Sequence, residues 1–239
     1  MSFDRFFLQL YSYEIDLANY GVAFKFGSLA LIFNQVLILT LTPYTRKIYV
    51  EEKKMSEQIF NVSIFVYSVL AVSFAMVVSI SAGPLMQLFF SDKFPLSDIL
   101  FPLLAISFVI NGFVRFLIIG SWVEFRSWDI IFAGASSAVA NIVLTPIFFA
   151  LWGVVGACVA TVIASAVYCV VAMCLCIRGV PFRFEYSYIL VVLFCLVCFT
   201  LFFAFQNISI SKNLVIISCE IAVIFSTYYY WRRSTFRLR

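Results

Sequence analysis

The chain has 239 residues, 64% of them hydrophobic and only 12% charged, with a net charge of +4 and no histidine. Ordinary soluble domains are roughly half apolar and a quarter charged, so this much apolar side chain cannot be hidden from water behind so little polar surface. A water-soluble globule is therefore excluded. The missing histidine also removes the commonest general base and every Ser-His or Cys-His pair, and no enzymatic role is expected.

In chain order, residues 1–20 are too short and too charged to span a bilayer cleanly, and they lack the basic start and cleavage site of a signal peptide. They read as the tail of something longer. Apolar runs near the roughly 20 residues needed to cross about 30 Å of hydrocarbon as a helix then recur. They fall at 21–42, 60–82, 99–122, 128–151, 153–177, 187–205 and 214–231. Runs such as Leu29 to Ile32 do not alternate, which sets aside a transmembrane β-barrel. The expected fold is an all-α integral membrane protein of about seven transmembrane helices. Between spans, residues 43–61 mix charges of both signs and read as a solvated helix or loop, and residues 91–98 read as a turn.

Lysine and arginine are retained in cytoplasmic loops. Alternate loops place Arg46, Lys47, Lys53, Lys54, Arg126, Arg178, Arg183, Arg232, Arg233, Arg237 and Arg239 on one side, against Arg5, Lys93 and Lys212 on the other. The first side is expected to be cytoplasmic, with the C-terminus there and the N-terminus outside, an arrangement that suggests a further N-terminal portion. The seven cysteines all lie in apolar segments. Cys195-x-x-Cys198 has the spacing of half a zinc or redox site, but no second pair or histidine accompanies it, and small buried thiols are the simpler reading.

Two spans carry small residues at helical spacing. Gly153, Gly156, Ala157, Ala160, Thr161, Ala164 and Ser165 share one face, and Gly134, Ser137, Asn141 and Thr145 form a stripe on the preceding span. Such faces let helix backbones approach closely in lipid. Trp152 between them predicts an antiparallel hairpin, and Pro146 predicts a kink. Two other spans carry polar stripes that include a cation: Lys25, Ser28, Gln35 and Thr42, and Ser107, Asn111 and Arg115. A charge inside a span is costly unless it meets a polar cavity, finds a partner or snorkels to the interface. Lys25 and Arg115 are open to either reading.

Several segments resemble the polysaccharide and O-antigen flippases of the multidrug/oligosaccharidyl-lipid/polysaccharide exporter superfamily. Asp4-Arg5-Phe6-Phe7-Leu8 is similar to the Asp-Arg segment that ends their seventh helix, and Asn19-Tyr20-Gly21-Val22-Ala23-Phe24-Lys25-Phe26 to the opening of the eighth. Leu88-Phe89-Phe90-Ser91-Asp92-Lys93-Phe94 resembles the outer turn after the ninth. Asn141-x4-Pro146, followed by Trp152-Gly153-Val154-Val155-Gly156-Ala157 and Ala160-Thr161, resembles the run joining the eleventh and twelfth. The longer stretch from Gln9 to Glu14 departs from the family pattern.

The resemblance implies one lobe of a two-lobe exporter over residues 1–177, with two appended helices and a basic cytoplasmic tail over 178–239. It implies flipping of an undecaprenyl-pyrophosphate-linked oligosaccharide across the bacterial inner membrane during O-antigen or other surface polysaccharide synthesis. Arg5 and Lys25 would supply charge to the cavity, and Gln35, Asn111 and Asn141 hydrogen bonds. Gly134, Pro146, Gly153, Gly156, Ala157, Ala160 and Thr161 would serve helix packing. The implied partners are the lipid-linked oligosaccharide, the membrane, and an N-terminal lobe or a second copy of the chain; no cofactor, metal or nucleic acid is implied. A drug exporter of the same superfamily, for which Glu220 is the candidate acid, a glycan polymerase or ligase, and a non-transporting remnant remain as alternatives. The charge asymmetry predicts that reporter fusions at Lys54, Arg183 and Arg239 read as cytoplasmic and fusions at Lys93 and Lys212 as external; the reverse pattern at Lys54 and Lys93 would overturn the orientation.

Overall fold

The computed structural model describes residues 3–11, 14–51, 97–118, 121–122 and 125–176, together with single positions between 63 and 88. The chain divides into two compact units, Met1–Arg183 and Phe184–Arg239, and the described residues belong to the first. The spans predicted at 187–205 and 214–231, the 178–239 segment containing them, the Cys195/Cys198 pair and Glu220 lie outside the described residues, as does the turn at 91–96.

Every described element is helical. The named helices are α1 (Phe3–Tyr11), α2 (Glu14–Glu51), α3 (Ser97–Leu117) and α4 (Ser127–Cys176). Described positions from Ser63 to Leu88 are helical as well. Three helices are long and apolar enough to cross a membrane: α2 over Glu14–Thr40, α3 over Leu100–Leu117 and α4 over Ser127–Leu175.

The first predicted span, 21–42, is longer in the structure. Glu14 and Asp16 occupy the first turn of α2, where carboxylates complement the helix dipole, so the helix begins seven residues before the apolar run. At its far end the helix continues through exposed Pro43 to Glu51. Pro43 forfeits one ladder bond, to the carbonyl of Leu39, without ending the helix.

The 49-residue apolar stretch of α4 is two helical arms, not one straight helix. Trp152 (φ −131°, ψ 15°) and Gly153 (φ 59°, ψ −138°) leave the helical region. Gly153 sits in a left-handed conformation that a Cβ would strain. The Ser137 hydroxyl donates to the Ala164 carbonyl at 2.9 Å. Twenty-seven residues of straight helix would hold those groups roughly 40 Å apart, so the chain reverses at 152–153 into an antiparallel hairpin. Its arms are residues 127–151 and 154–176. At Pro146 the dihedrals stay helical, and the non-helical departures within α4 are Trp152 and Gly153. The bond lost at Pro146 leaves only the Ile142 carbonyl without its ladder partner, a local defect that the rest of the arm tolerates.

The small-residue face of the second arm is buried at Gly156, Ala157, Ala160, Ala164 and Ser165. At Gly156 an added Cβ would overlap the Phe148 carbonyl of the other arm. Gly134 was expected in the matching stripe, but a Cβ there would meet nothing within 4 Å. Gly134 therefore leaves space at its position, while Ser137 three residues on makes the interarm bond.

Burial ranks the helices. In α3 the spanning window is 83% buried, against 18% in α2 and 28% in α4, so α3 is the central helix and its neighbours present broad faces to lipid. Ile131, Phe132, Val139, Ile142, Val143 and Ile147 on the first arm of α4 are exposed, a pattern that hydrocarbon tolerates and water does not. Contacts run in register along α3. Phe26 stacks edge-on against Phe101 at 6.1 Å, Gly27 lies against Leu104, and Asn34 reaches the Phe108 carbonyl, so α2 and α3 are parallel. Leu104 shares a buried cluster with Ala157, and Asn111 bonds Ser165, so the second arm of α4 also runs parallel to α3. At the Gly153 end, α1 closes the cluster: Leu8 is fully buried in it, and Phe7 meets Phe149 edge-on at 5.5 Å.

The two glycines of the hairpin predict opposite outcomes. Gly156→Ala forces a backbone carbonyl to move and should cost about 1–3 kcal/mol, seen as a lower thermal unfolding midpoint in detergent. Gly134→Ala fills open space and should leave that midpoint unchanged or slightly raised.

Candidate functional site

An open groove of about 440 Å³ lies between α1 and α2, lined by Gln9 of α1 and by Leu17, Ala18, Tyr20, Gly21, Val22 and Lys25 of α2. The α2 residues belong mostly to the helical face one and two turns N-terminal to Lys25. Long helical side chains lean toward their helix N-terminus, so that face is the one the Lys25 side chain crosses. Gly21 keeps the space open, since a Cβ there would meet nothing within 4 Å. Apart from Gln9 and the ammonium of Lys25, the lining is almost entirely apolar.

Lys25 is exposed. Its position on α2 is almost opposite Asn34, which is turned into the bundle with 3% exposure. Leu29, Ile32, Val36 and Leu39 continue the same open face along the helix. The register of contacts also sets the depth. Because Gly27 pairs with Leu104, and Leu104 shares a cluster with Ala157, Lys25 stands only about two residues, roughly 3 Å, from the level of the Gly153 reversal. A lysine stem is longer than that offset and carries the ammonium to the level of the hairpin turn. Lys25 thus lies deep by sequence count, 11 residues into α2, yet near the level of the hairpin turn by packing, because the start of α2 extends beyond that turn.

Gln35, Asn111 and Asn141 are not gathered around Lys25. Arg5 is on α1, one turn before Gln9. Gln35 is exposed on the flank of the open α2 face. Asn111 lies between α3 and the hairpin, where its amide donates to the Ser165 hydroxyl at 3.0 Å and the Ser107 carbonyl at 2.8 Å. Asn141 accepts a long 3.4 Å bond from the Thr145 hydroxyl on its own helix. The hydroxyls of Ser28, Ser107 and Thr161 donate to carbonyls one turn back on their own helices. Polar stripes in lipid are satisfied this way without any ligand. Arg115, the cation of the second stripe, is exposed. Of the predicted packing residues, Ala157 and Ala160 are fully buried and Gly153 and Thr161 partly so.

One polar cluster has no counterpart among the predicted residues. The Asn34 amide donates to the Phe108 carbonyl at 2.8 Å, and the Tyr67 hydroxyl donates to Asn34 Oδ1 at 3.0 Å, with the Val109 carbonyl 3.2 Å away. Gly112 makes room for it: a Cβ there would overlap the Tyr67 hydroxyl. The sequence does contain a signal. Tyr20, Ala23, Gly27 and Asn34 fall on one face of α2 at spacings of three, four and seven. Choosing Asn34 over its neighbour Gln35 requires knowing which side α3 occupies.

Interhelical hydrogen bonds in membranes contribute about 0.6 kcal/mol on average, up to roughly 2. Tyr67→Phe should cost about 1 kcal/mol, measured as a small loss of thermal stability in detergent, and Gly112→Leu considerably more because it displaces the whole cluster. No protein-family model, curated protein or solved structure matches the chain.

Proposed function

We propose that this chain is one lobe of a flippase for lipid-linked oligosaccharides, with Lys25 contacting the diphosphate of the carrier lipid. One observation carries the proposal: a single exposed ammonium beside an otherwise apolar groove, near the end of the bundle. The carrier has the same division, a long apolar tail joined to an anionic diphosphate and a polar glycan. A groove lined by Leu17, Ala18, Gly21 and Val22 suits the first part of the tail, and Lys25 suits the phosphate oxygens through charge-assisted hydrogen bonds. Gln9 offers a neutral partner across the groove. The motif resemblance gives this chemistry its transport setting, and the charge asymmetry between loops assigns the groove to the extracytoplasmic side.

In this mechanism the lobe makes no covalent bond. Flipping requires two conformations that bind the substrate differently, exposing the polar head to one face and then the other. The open face of α2 that carries Lys25 is the side on which a second lobe, or a second copy of this chain, would close the cavity. Asn111 and Asn141 then hold the lobe together, and Gln35 and Arg5 flank the substrate path.

The test is surface-glycan export in a flippase-deficient bacterium, with this chain expressed alone and together with a matching N-terminal lobe. Export is expected only in the second case. There, Lys25→Ala should lower export on the order of tenfold or more at matched protein levels, since a charged hydrogen bond is at stake, while Lys25→Arg keeps part of it. Gly21→Leu, which fills the groove without touching the packed side of α2, should also lower it. Full export by Lys25→Ala would reduce Lys25 to a snorkelling residue. No export under either condition would remove the flippase reading.

A further inference from the structure

The turn between α3 and α4 carries an aromatic cluster with no role in the groove at the other end of the bundle. Trp122 is 56% exposed, Phe125 86% and Trp128 71%, with Phe132 one turn further on at 60%. Phe125 is the one non-glycine residue with positive φ, 57°, among the described residues. In that left-handed conformation the Phe125 N–H reaches the Trp122 carbonyl at 3.4 Å, while Arg126 N–H donates to the Ser121 carbonyl at 2.8 Å. The chain thus turns tightly and leaves the ring outside. A bulky residue is disfavoured there, and a ring projecting into water would bring nothing in return. Beside it, Arg126 and Asp129 form an ion pair at 2.7 Å.

Amphipathic rings next to paired charges match the headgroup zone of a bilayer, where tryptophan is enriched and hydrocarbon gives way to polar groups. A second observation comes from spacing. Trp152, 57% exposed, marks the opposite end of the same helical arm. It lies 24 residues, roughly 36 Å, from Trp128, and between them are the exposed aliphatics Val139, Ile142, Val143 and Ile147. That length equals the approximately 30 Å hydrocarbon layer plus a few ångströms of interface at each side. We infer that the α3–α4 turn is a lipid-headgroup anchor, with the Trp122, Phe125 and Trp128 rings seated in the interface of one leaflet and Trp152 in that of the other. The three rings at one end and Trp152 at the other fix the depth of the hairpin in the membrane. The partner is the phospholipid surface itself, and because Arg126 is already paired, a zwitterionic lipid suffices.

Depth-dependent fluorescence quenching tests the inference on the full-length protein in phosphatidylcholine vesicles carrying spin labels either near the headgroup or near the acyl-chain end. Variants keep a single tryptophan at 122, 128 or 152, with the other tryptophans changed to Phe; Phe125→Trp and Ile142→Trp extend the set. Shallow labels should quench positions 122, 125, 128 and 152 at least twofold more than deep labels, and Ile142→Trp should show the reverse. Stronger quenching of 122, 125 and 128 by deep labels would overturn the anchor. So would quenching of those positions by aqueous iodide but by neither label, which would put the turn in water.

Discussion

In hydrocarbon a polar group has no water to fall back on, so each amide and hydroxyl must be satisfied by protein, and α3 is where that constraint shapes the bundle. It is covered by α2 on one side and by the α4 hairpin on another, with Tyr67 reaching in as well. Each neighbour supplies a polar side chain that meets α3: Asn34 and Tyr67 at the Phe108 and Val109 carbonyls, and Ser165 at Asn111. Such bonds contribute little to net stability because the separated helices also find partners in the membrane. Their larger consequence is register. A one-residue slip of α2 along α3 would turn Asn34 by about 100° away from its acceptor and bring Gln35 toward the seam.

Close approach makes these bonds available. Gly112 admits the Tyr67 hydroxyl, Gly27 admits Phe108 and Leu104, and Gly156 admits the backbone of Phe148. Small residues in a membrane bundle work by absence, and their effect depends on what lies opposite. Gly134 and Gly21 have the same composition and comparable spacing, yet both face open space. At Gly21 that space belongs to the groove beside Lys25.

The division between tightly packed and open faces also organises the proposed function. Where α2 meets α3, polar groups are consumed in packing. Where α2 faces outward, Lys25 is unpaired by any described carboxylate and stands near the level of the hairpin turn. A cation in that position can serve either the protein's own placement in the membrane or an anionic substrate, and a groove beside it favours an amphiphile. The aromatic turn at the other end of the bundle has a different task, holding the hairpin at a constant depth while any substrate moves past it.

The sequence by itself determined the apolar character of the chain and the helical class of its described part. Sustained apolar runs of spanning length admit no other structure once water is excluded, and Trp152-Gly153 between two such runs marks a reversal because only glycine takes that backbone conformation readily. A period of 3.6 residues also groups the small residues of 153–165 on one face, of which Gly156, Ala157, Ala160, Ala164 and Ser165 are buried in the structure. What periodicity cannot supply is the direction in which a face points. Lys25 and Gln35 were read as neighbours on one polar face, and Asn111 and Asn141 as further cavity residues, because a polar side chain looks the same whether it meets a ligand, another helix or its own backbone. Only the tertiary arrangement separated them. It turned Asn34 inward instead of Gln35, tied Asn111 to Ser165, left Gly134 beside open space, and raised Lys25 to the end of the bundle by letting α2 extend past the hairpin. Each of those outcomes depends on the relative rotation and offset of two helices, a property of the pair that neither helix's own sequence contains.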